Sequence, residues 1–197
     1  MNIVLASKSE RRKEILEKYF HNIIIVDSHS NEFYNLDFDL YTNIMSISRE
    51  KINEIKFKYK NSIVLGADTV VVLENEILGK ASDINEARSF LKKLSNKEHK
   101  VITAFSICCI DRGIEVCDYV ESKVQFRRLE DNLIEEYLNT NEWTDKAGAY
   151  GIQGKASIFV ESITGDYLSI VGLPISKILT YLIDYFDFNI MRLDNEL

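Results

Sequence analysis

The 197-residue chain has little of what disulfide-stapled, zinc-binding or membrane proteins contain. Its three cysteines are odd in number and lack CxxC spacing, and its three histidines are isolated, which argues against a disulfide framework and a zinc site. No run approaches the roughly 18 apolar residues that span a bilayer. The apolar stretch 3–6 is far shorter than a signal-peptide core. We therefore expect a cytoplasmic protein with no membrane partner and with semi-buried cysteine thiols.

Positive charge is also in short supply. Lys and Arg total 24 against 31 Asp and Glu, which gives a formal net charge of −7. Such a chain gains little from counterion release, so we do not expect it to bind a nucleic-acid polymer. A small polyanion can still bind where a few lysines and arginines converge. With a single proline and no low-complexity linker, residues 1–197 are predicted to form one domain.

The order of apolar patterns predicts an α/β fold with mixed α+β character. Val- and Ile-rich runs alternate with helical patterns in the first half, including a helix over 40–59. Two long strands then flank a hairpin signal at 111–113. Further strands are predicted at 157–163 and 167–171, before a closing helix from Pro174. We expect a central mixed β-sheet flanked by helices.

Two stretches place ionisable residues where strands meet polar turns. Ser7, Arg11 and Arg12 follow the first strand at a helix start, where free N–H groups and guanidiniums suit a phosphate. A capped, solvated helix start is the alternative. Asp68 interrupts an apolar strand, and a buried carboxylate is costly unless it is paired, protonated or metal-bound. That position suits a metal ligand or a general base, and a structural strand-end aspartate is the alternative.

Two further stretches contain lone polar side chains beside glycines. Lys80 follows Gly79 after a hairpin, which alone is weak evidence because lysines are common in turns. Gln153 lies in the glycine-rich segment 146–154, where an amide could bind a base edge and the glycines could allow close approach of the backbone. Neither a P-loop nor a GxGxxG fingerprint occurs.

Four strings of the chain together resemble the signatures of the Maf-like nucleoside triphosphate pyrophosphatases. In order they are LASKSERR, GADTVV, DKAGAYGIQG and GDYLSIVGLPISK, and the resemblance extends from Leu5 to about Lys177. It implies an ITPase/Maf-like fold with two lobes and a cleft between them. It also implies a house-cleaning enzyme that uses a divalent cation, Mg²⁺ or Mn²⁺, to convert a nucleoside triphosphate and water into a monophosphate and pyrophosphate. A homodimer is compatible with the resemblance.

The same resemblance implies roles for individual residues. Asp68 would accept the proton of the attacking water and, with Glu32, would hold the metal. The residues implied to bind the nucleotide are Ser7, Arg11, Arg12, Lys51, Thr69, Lys80 and Gln153. Arg11, Thr69 and Gln153 occupy positions that set base preference in the family. Asp166 and Pro174 are expected to have structural or supporting roles.

The GADT and YGIQG strings resemble the branch that prefers dTTP and UTP over 7-methylated GTP. The Gln153 amide could pair with the O4 and N3–H edge of thymine or uracil, although an amide also pairs with adenine. Two other functions compete: a non-catalytic nucleotide sensor that regulates cell division, and a pyrophosphatase for modified nucleotides.

Three positions depart from the family pattern. Glu10 stands where proline is usual, and Ala81 and Asn96 replace common loop residues. A Glu10 side chain directed inward would lower triphosphate affinity, because it adds negative charge beside the phosphate site. The other two changes should affect loop rigidity more than chemistry.

Overall fold

A computed structural model describes residues 1–28 and 34–187. Its strands are β1 (Ile3–Ala6), β2 (Ile23–Val26), β3 (Ile63–Leu73), β4 (Glu76–Leu78), β5 (Glu98–Cys109), β6 (Ile114–Phe126) and β7 (Val160–Thr164). Its α-helices are α1 (Glu10–Glu17), α2 (Leu40–Asn53), α3 (Ile84–Leu94), α4 (Asp131–Leu138), α5 (Tyr167–Val171) and α6 (Ile175–Phe186). None of these helices combines the length and apolar character that a bilayer crossing requires.

The described strands form one seven-stranded mixed sheet in the order β2-β1-β3-β5-β6-β7, with β4 paired to β3. Strand β1 runs parallel to β2 and β3, and Ala6 lies in register with Val26 and Gly66. The pairs β3–β4 and β6–β7 are antiparallel. The predicted mixed sheet flanked by helices is therefore confirmed. Because the chain leaves β1 directly after Ala6, Ser7 emerges beside the part of β3 that contains Asp68.

The chain divides into two compact units. Among the described residues, the first unit comprises 1–28, 34–68, 103–120 and 172–187. The second unit comprises Thr69–Ile102 and Glu121–Val171. Strands β3, β5 and β6 contribute residues to both units.

Helix α2 supplies much of the apolar core of the first unit. Asp39 caps it by accepting a hydrogen bond from the Thr42 amide at 3.0 Å. Ile44, Ile47 and Ile52 are buried, as their helical spacing predicts. The helix ends at Asn53 and not near residue 59, because tight turns replace its last turns.

Aromatic side chains fill the core of the second unit. Phe126 contacts the rings of Tyr150, at 4.8 Å between centroids, and Phe159, at 5.8 Å, edge to face. Helix α3 packs its apolar face against this core, and Asp83 caps it, because its carboxylate accepts from two backbone amides. The second unit therefore has a core of its own.

Residues 167–171 form helix α5, so the prediction of a strand there is wrong. A short apolar run fits either type of element, and hydrogen bonding decides between them. The Asp166 carboxylate accepts from the amides of Leu168 at 2.8 Å and Ser169 at 3.2 Å, which caps the helix start. The preceding strand is also shorter than predicted, because Lys155–Phe159 forms a 3₁₀ turn and β7 begins at Val160.

The three cysteines are free thiols, as expected. Cys108 and Cys109 are buried and Cys117 is partly buried. The Cys117 sulfur lies 3.2 Å from the Ser106 hydroxyl. Their role in the structure is packing, with weak hydrogen bonding at Cys117.

Candidate active site

The loop between β1 and α1 brings Ser7 and Arg12 together. The Ser7 hydroxyl oxygen accepts from the Ser9 amide at 3.1 Å and from Arg12 Nη1 at 3.3 Å. On its other side, Arg12 Nε donates to the Gly172 carbonyl at 2.8 Å. These contacts orient the guanidinium beside Ser7, at the start of α1, where an anion would be stabilised. Arg11 is half-buried on the same helix.

Ser9 occupies the N-cap position of α1 but makes no capping hydrogen bond with its side chain. Its backbone amide instead donates to Ser7, so Ser7 organises the helix start. The unusual Glu10 faces solvent, with a side chain 76% exposed and 3.4 Å from Lys13. Glu10 was expected to weaken triphosphate binding only if its carboxylate faced inward, and it does not.

Asp68 forms a buried ion pair with Lys51. Lys51 Nζ lies 2.6 Å from Asp68 Oδ1, and each side chain is only 9% exposed. Lys51 also donates to the Ala67 carbonyl at 3.3 Å. A buried carboxylate needs such a partner, because desolvation otherwise costs several kcal/mol. The pair therefore keeps a carboxylate fixed on β3, the strand next to β1, which ends directly before Ser7.

The oxygen chemistry of this site suits Mg²⁺ or Mn²⁺. These cations commonly bind through one or two carboxylates, with substrate phosphates and water completing the shell. Asp68 supplies one carboxylate, and Glu32, the second predicted ligand, lies outside the described residues. Among residues 1–28 and 34–187, no three His, Cys, Asp or Glu side chains cluster as a metal site. The donors present fit a cation held partly by substrate.

The second unit carries the other three predicted site residues. Lys80 is exposed after β4 and forms an isolated antiparallel bridge with Ala147. This bridge brings the predicted lysine turn and the glycine-rich segment together. Gln153 is exposed in a turn of that segment, whereas Thr69 is half-buried on β3.

Packing within the chain accounts for the glycines of segment 146–154. Gly148 has a φ of +65° and lies against Val71, which a β-carbon would approach to 3.0 Å. A β-carbon at Gly151 would meet the Lys146 side chain, and one at Gly154 would meet Glu142. The expectation that these glycines admit a ligand stays a prediction.

The structure gives Asp166 and Pro174 structural positions. Asp166 caps α5, and Pro174 precedes the first residue of α6. The Gly172 carbonyl, which orients Arg12, was not predicted. A backbone acceptor 160 residues away leaves no signal in the sequence.

Comparison with known proteins identifies the family of the chain. The family model for Maf-like protein matches residues 2–185, and the chain belongs to that family. A Clostridioides difficile protein named dTTP/UTP pyrophosphatase is 46% identical over 190 residues, covering 96% of this chain and 98% of that protein. A Pyrococcus abyssi protein of the same name is 48% identical over 177 residues, covering 90% and 92% respectively. A Fusobacterium nucleatum protein, also so named, is 45% identical over 177 residues and covers the same shares.

Among solved structures, the Staphylococcus aureus Ham1 protein matches with a TM-score of 0.47 and 13% identity. The match covers 64% of this chain and 72% of that one. A similarity of this size carries no argument about function.

Proposed function

We propose that this protein hydrolyses nucleoside triphosphates, dTTP and UTP foremost, to the nucleoside monophosphate and pyrophosphate. The observation that carries the proposal is the buried Asp68 carboxylate, held 2.6 Å from Lys51 on the strand next to β1, which ends directly before Ser7. Relatives that align over nine-tenths or more of the chain are named dTTP/UTP pyrophosphatase, which supports the same substrates here.

In the proposed reaction, Asp68 orients a water molecule and accepts its proton. The water oxygen forms a bond to the α-phosphorus, the bond from that phosphorus to the bridging oxygen breaks, and pyrophosphate leaves. A positioned base of this kind contributes roughly 100- to 10,000-fold to the rate. Arg12 is oriented by Ser7 and Gly172, so it is prepared to bind the triphosphate with little loss of side-chain entropy.

Asp68 and Glu32 would hold the divalent cation, which neutralises charge on the phosphates when bound. Lys51 contributes a second positive charge at Asp68 and keeps that carboxylate in one position. Arg11, in the first turn of α1, would add a further cation to the phosphate site.

In the second unit, Lys80 would bind phosphate, and Thr69 and Gln153 would set base preference. The Gln153 amide offers one donor and one acceptor, which complement the O4 and N3–H groups of thymine and uracil. The roles of Thr69 and Gln153 rest on the resemblance of the GADT and YGIQG strings to the family signatures, and the role of Lys80 is implied by the same resemblance.

Identification of the products tests the proposal. The protein is incubated with dTTP, UTP, CTP, GTP or 7-methyl-GTP and with Mg²⁺, Mn²⁺ or excess chelator, and pyrophosphate and orthophosphate are measured separately. Pyrophosphate released fastest from dTTP and UTP, and lost with chelator, is the expected result. Orthophosphate as the first product would contradict attack on the α-phosphorus. Binding without turnover would favour the nucleotide sensor, and fastest turnover of 7-methyl-GTP would favour a modified-nucleotide pyrophosphatase.

A single domain over residues 1–197, a homodimer and a cytoplasmic location stay predictions. Size-exclusion chromatography with light scattering tests the homodimer directly.

A further inference from the structure

Helix α2 contacts β3 directly at Gly66. A β-carbon at Gly66 would lie 2.7 Å from the Ser48 carbonyl oxygen and 2.8 Å from Ile52 Cγ2. It would also lie 3.3 Å from Lys51 Cβ. Two of these separations are shorter than a side chain tolerates, so only glycine lets the helix rest at this height above the strand.

A buried hydrogen bond fixes the same helix from a second strand. The hydroxyl oxygens of Ser48 on α2 and Ser106 on β5 lie 2.7 Å apart, and both residues are fully buried. Each hydroxyl has a second partner, the Met45 carbonyl for Ser48 and the Cys117 sulfur for Ser106, so the contact between them adds a modest restraint on rotation or sliding of α2 against β5. Gly66 and Ser106 thus restrain the helix in different directions.

These restraints act on the residue that meets Asp68. Side chains alternate along a strand, so Gly66 and Asp68 share one face of β3. The Lys51 side chain runs along that face, with its Cβ near Gly66 and its Nζ 2.6 Å from Asp68. A small outward shift of α2 would carry Lys51 away from the carboxylate.

We infer that Gly66 is a positioning residue for the reaction: it seats α2 so that the Lys51 ammonium group is held on Asp68. The inference rests on the proposed function and adds to it a residue that touches neither the nucleotide nor the water. Ser106 has the same role to a smaller degree, because its hydrogen bond restrains the helix without setting its height.

A double-mutant cycle tests this role. We expect Gly66→Ala to lower kcat for pyrophosphate release from dTTP by about tenfold or more, because small misplacements of reacting groups have effects of that size. In a Lys51→Met background the same substitution should cost less than about threefold, since the group it displaces is gone. A merely structural role would give equal losses in both backgrounds.

Two control variants separate displacement of the helix from other effects. Gly113→Ala adds the same β-carbon in the turn between β5 and β6, where it would meet nothing within 4 Å; because φ is +64° there, it should lower the melting temperature and leave kcat unchanged. Val64→Ala lies on the same face of β3 as Gly66 and leaves a cavity, so it should lower the melting temperature without pushing α2 outward. Its kcat should stay near the wild-type value.

Ser106→Ala decides the question if Gly66→Ala does not fold, as judged by circular dichroism. It adds no volume and should lower kcat by a few-fold, again only when Lys51 is present. Losses independent of Lys51, or no loss in either variant, would overturn the inference. Absence of pyrophosphate release from the wild-type protein would overturn the proposed function itself, and the inference with it.

Discussion

Each compact unit buries a pair of polar side chains, and the two pairs differ in charge and surroundings. In the first unit, Lys51 and Asp68 carry opposite charges 2.6 Å apart. In the second unit, His99 Nε2 and Tyr150 Oη lie 2.8 Å apart, and the Phe126 ring contacts both residues edge to face.

Burial has opposite consequences for the two pairs. It lowers the pKa of His99 to about 4 and raises the pKa of Tyr150, so this second pair is neutral at pH 7. Lys51 and Asp68 instead form an ion pair, in which each side chain offsets the charge of the other. Burial of polar groups is therefore not enough to mark a functional site. The Lys51–Asp68 pair differs because it holds a charged carboxylate next to β1, where Arg12 adds a further cation at the start of α1.

The largest expected effect comes from Asp68→Asn. Removing the base should lower kcat by at least about 100-fold, because general bases contribute that much or more. It should also lower the free energy of unfolding by about 3 kcal/mol, since the buried Lys51 ammonium group loses the carboxylate that offsets its charge. Steady-state kinetics and urea unfolding measure the two effects.

The double variant Lys51→Met/Asp68→Asn is the control for that prediction. Removal of both charges should recover much of the lost stability, while kcat stays as low as in Asp68→Asn. Turnover near the wild-type rate in either variant would remove Asp68 from the mechanism.

The neutral pair should affect stability and leave catalysis intact. Because the pKa of His99 is about 4 in the folded state against 6.5 as the ordinary value, the unfolded state binds more protons between these values. Stability should therefore fall by roughly 3 kcal/mol as the pH drops from 6.5 to 4, with no further loss from this group below pH 4. Urea unfolding at several pH values measures the loss.

His99→Phe provides the comparison for the pH series. It removes the titrating group, so its stability should depend less on pH in that window than the wild-type stability does. Its kcat at pH 7 should match the wild-type value. A large fall in kcat would show that His99 takes part in catalysis. An unchanged pH dependence would show that His99 is not the group that titrates in this window.

The smallest expected effect comes from Gln153→Ala in the second unit. Gln153 is exposed, so its loss should leave the melting temperature unchanged. It should reduce the preference for dTTP and UTP over CTP by about tenfold, because the amide no longer discriminates the base. The ratios of kcat/KM for the three nucleotides measure the effect, and unchanged ratios would remove Gln153 from base recognition.

The sequence was informative where one residue contrasts with its neighbours. Asp68 within an apolar strand predicted a buried carboxylate that had to be paired, protonated or metal-bound. The carboxylate is buried, because this signal depends on residues close together in the chain. Gly66 carried a similar signal, since glycine inside a strand often marks close backbone approach.

Features that depend on tertiary contacts could not be predicted. The family resemblance implied that Lys51 binds the nucleotide, but its ion pair with Asp68, 17 residues later, was not predicted, because that contact follows from how α2 packs on β3. The helical 167–171 was mistaken for a strand because its apolar run has no clear period, although Asp166 at its start was a usable capping signal. The acceptor at Gly172 is a backbone atom and has no sequence signature.

The position of water attack tests the central claim most directly. Hydrolysis of dTTP in ¹⁸O-labelled water, followed by mass spectrometry of both products, shows which phosphorus receives the water oxygen. We expect the label in dTMP and none in pyrophosphate, with the labelled product formed at least about 100-fold more slowly by Asp68→Asn. Label in pyrophosphate, or in orthophosphate released without dTMP, would contradict attack on the α-phosphorus.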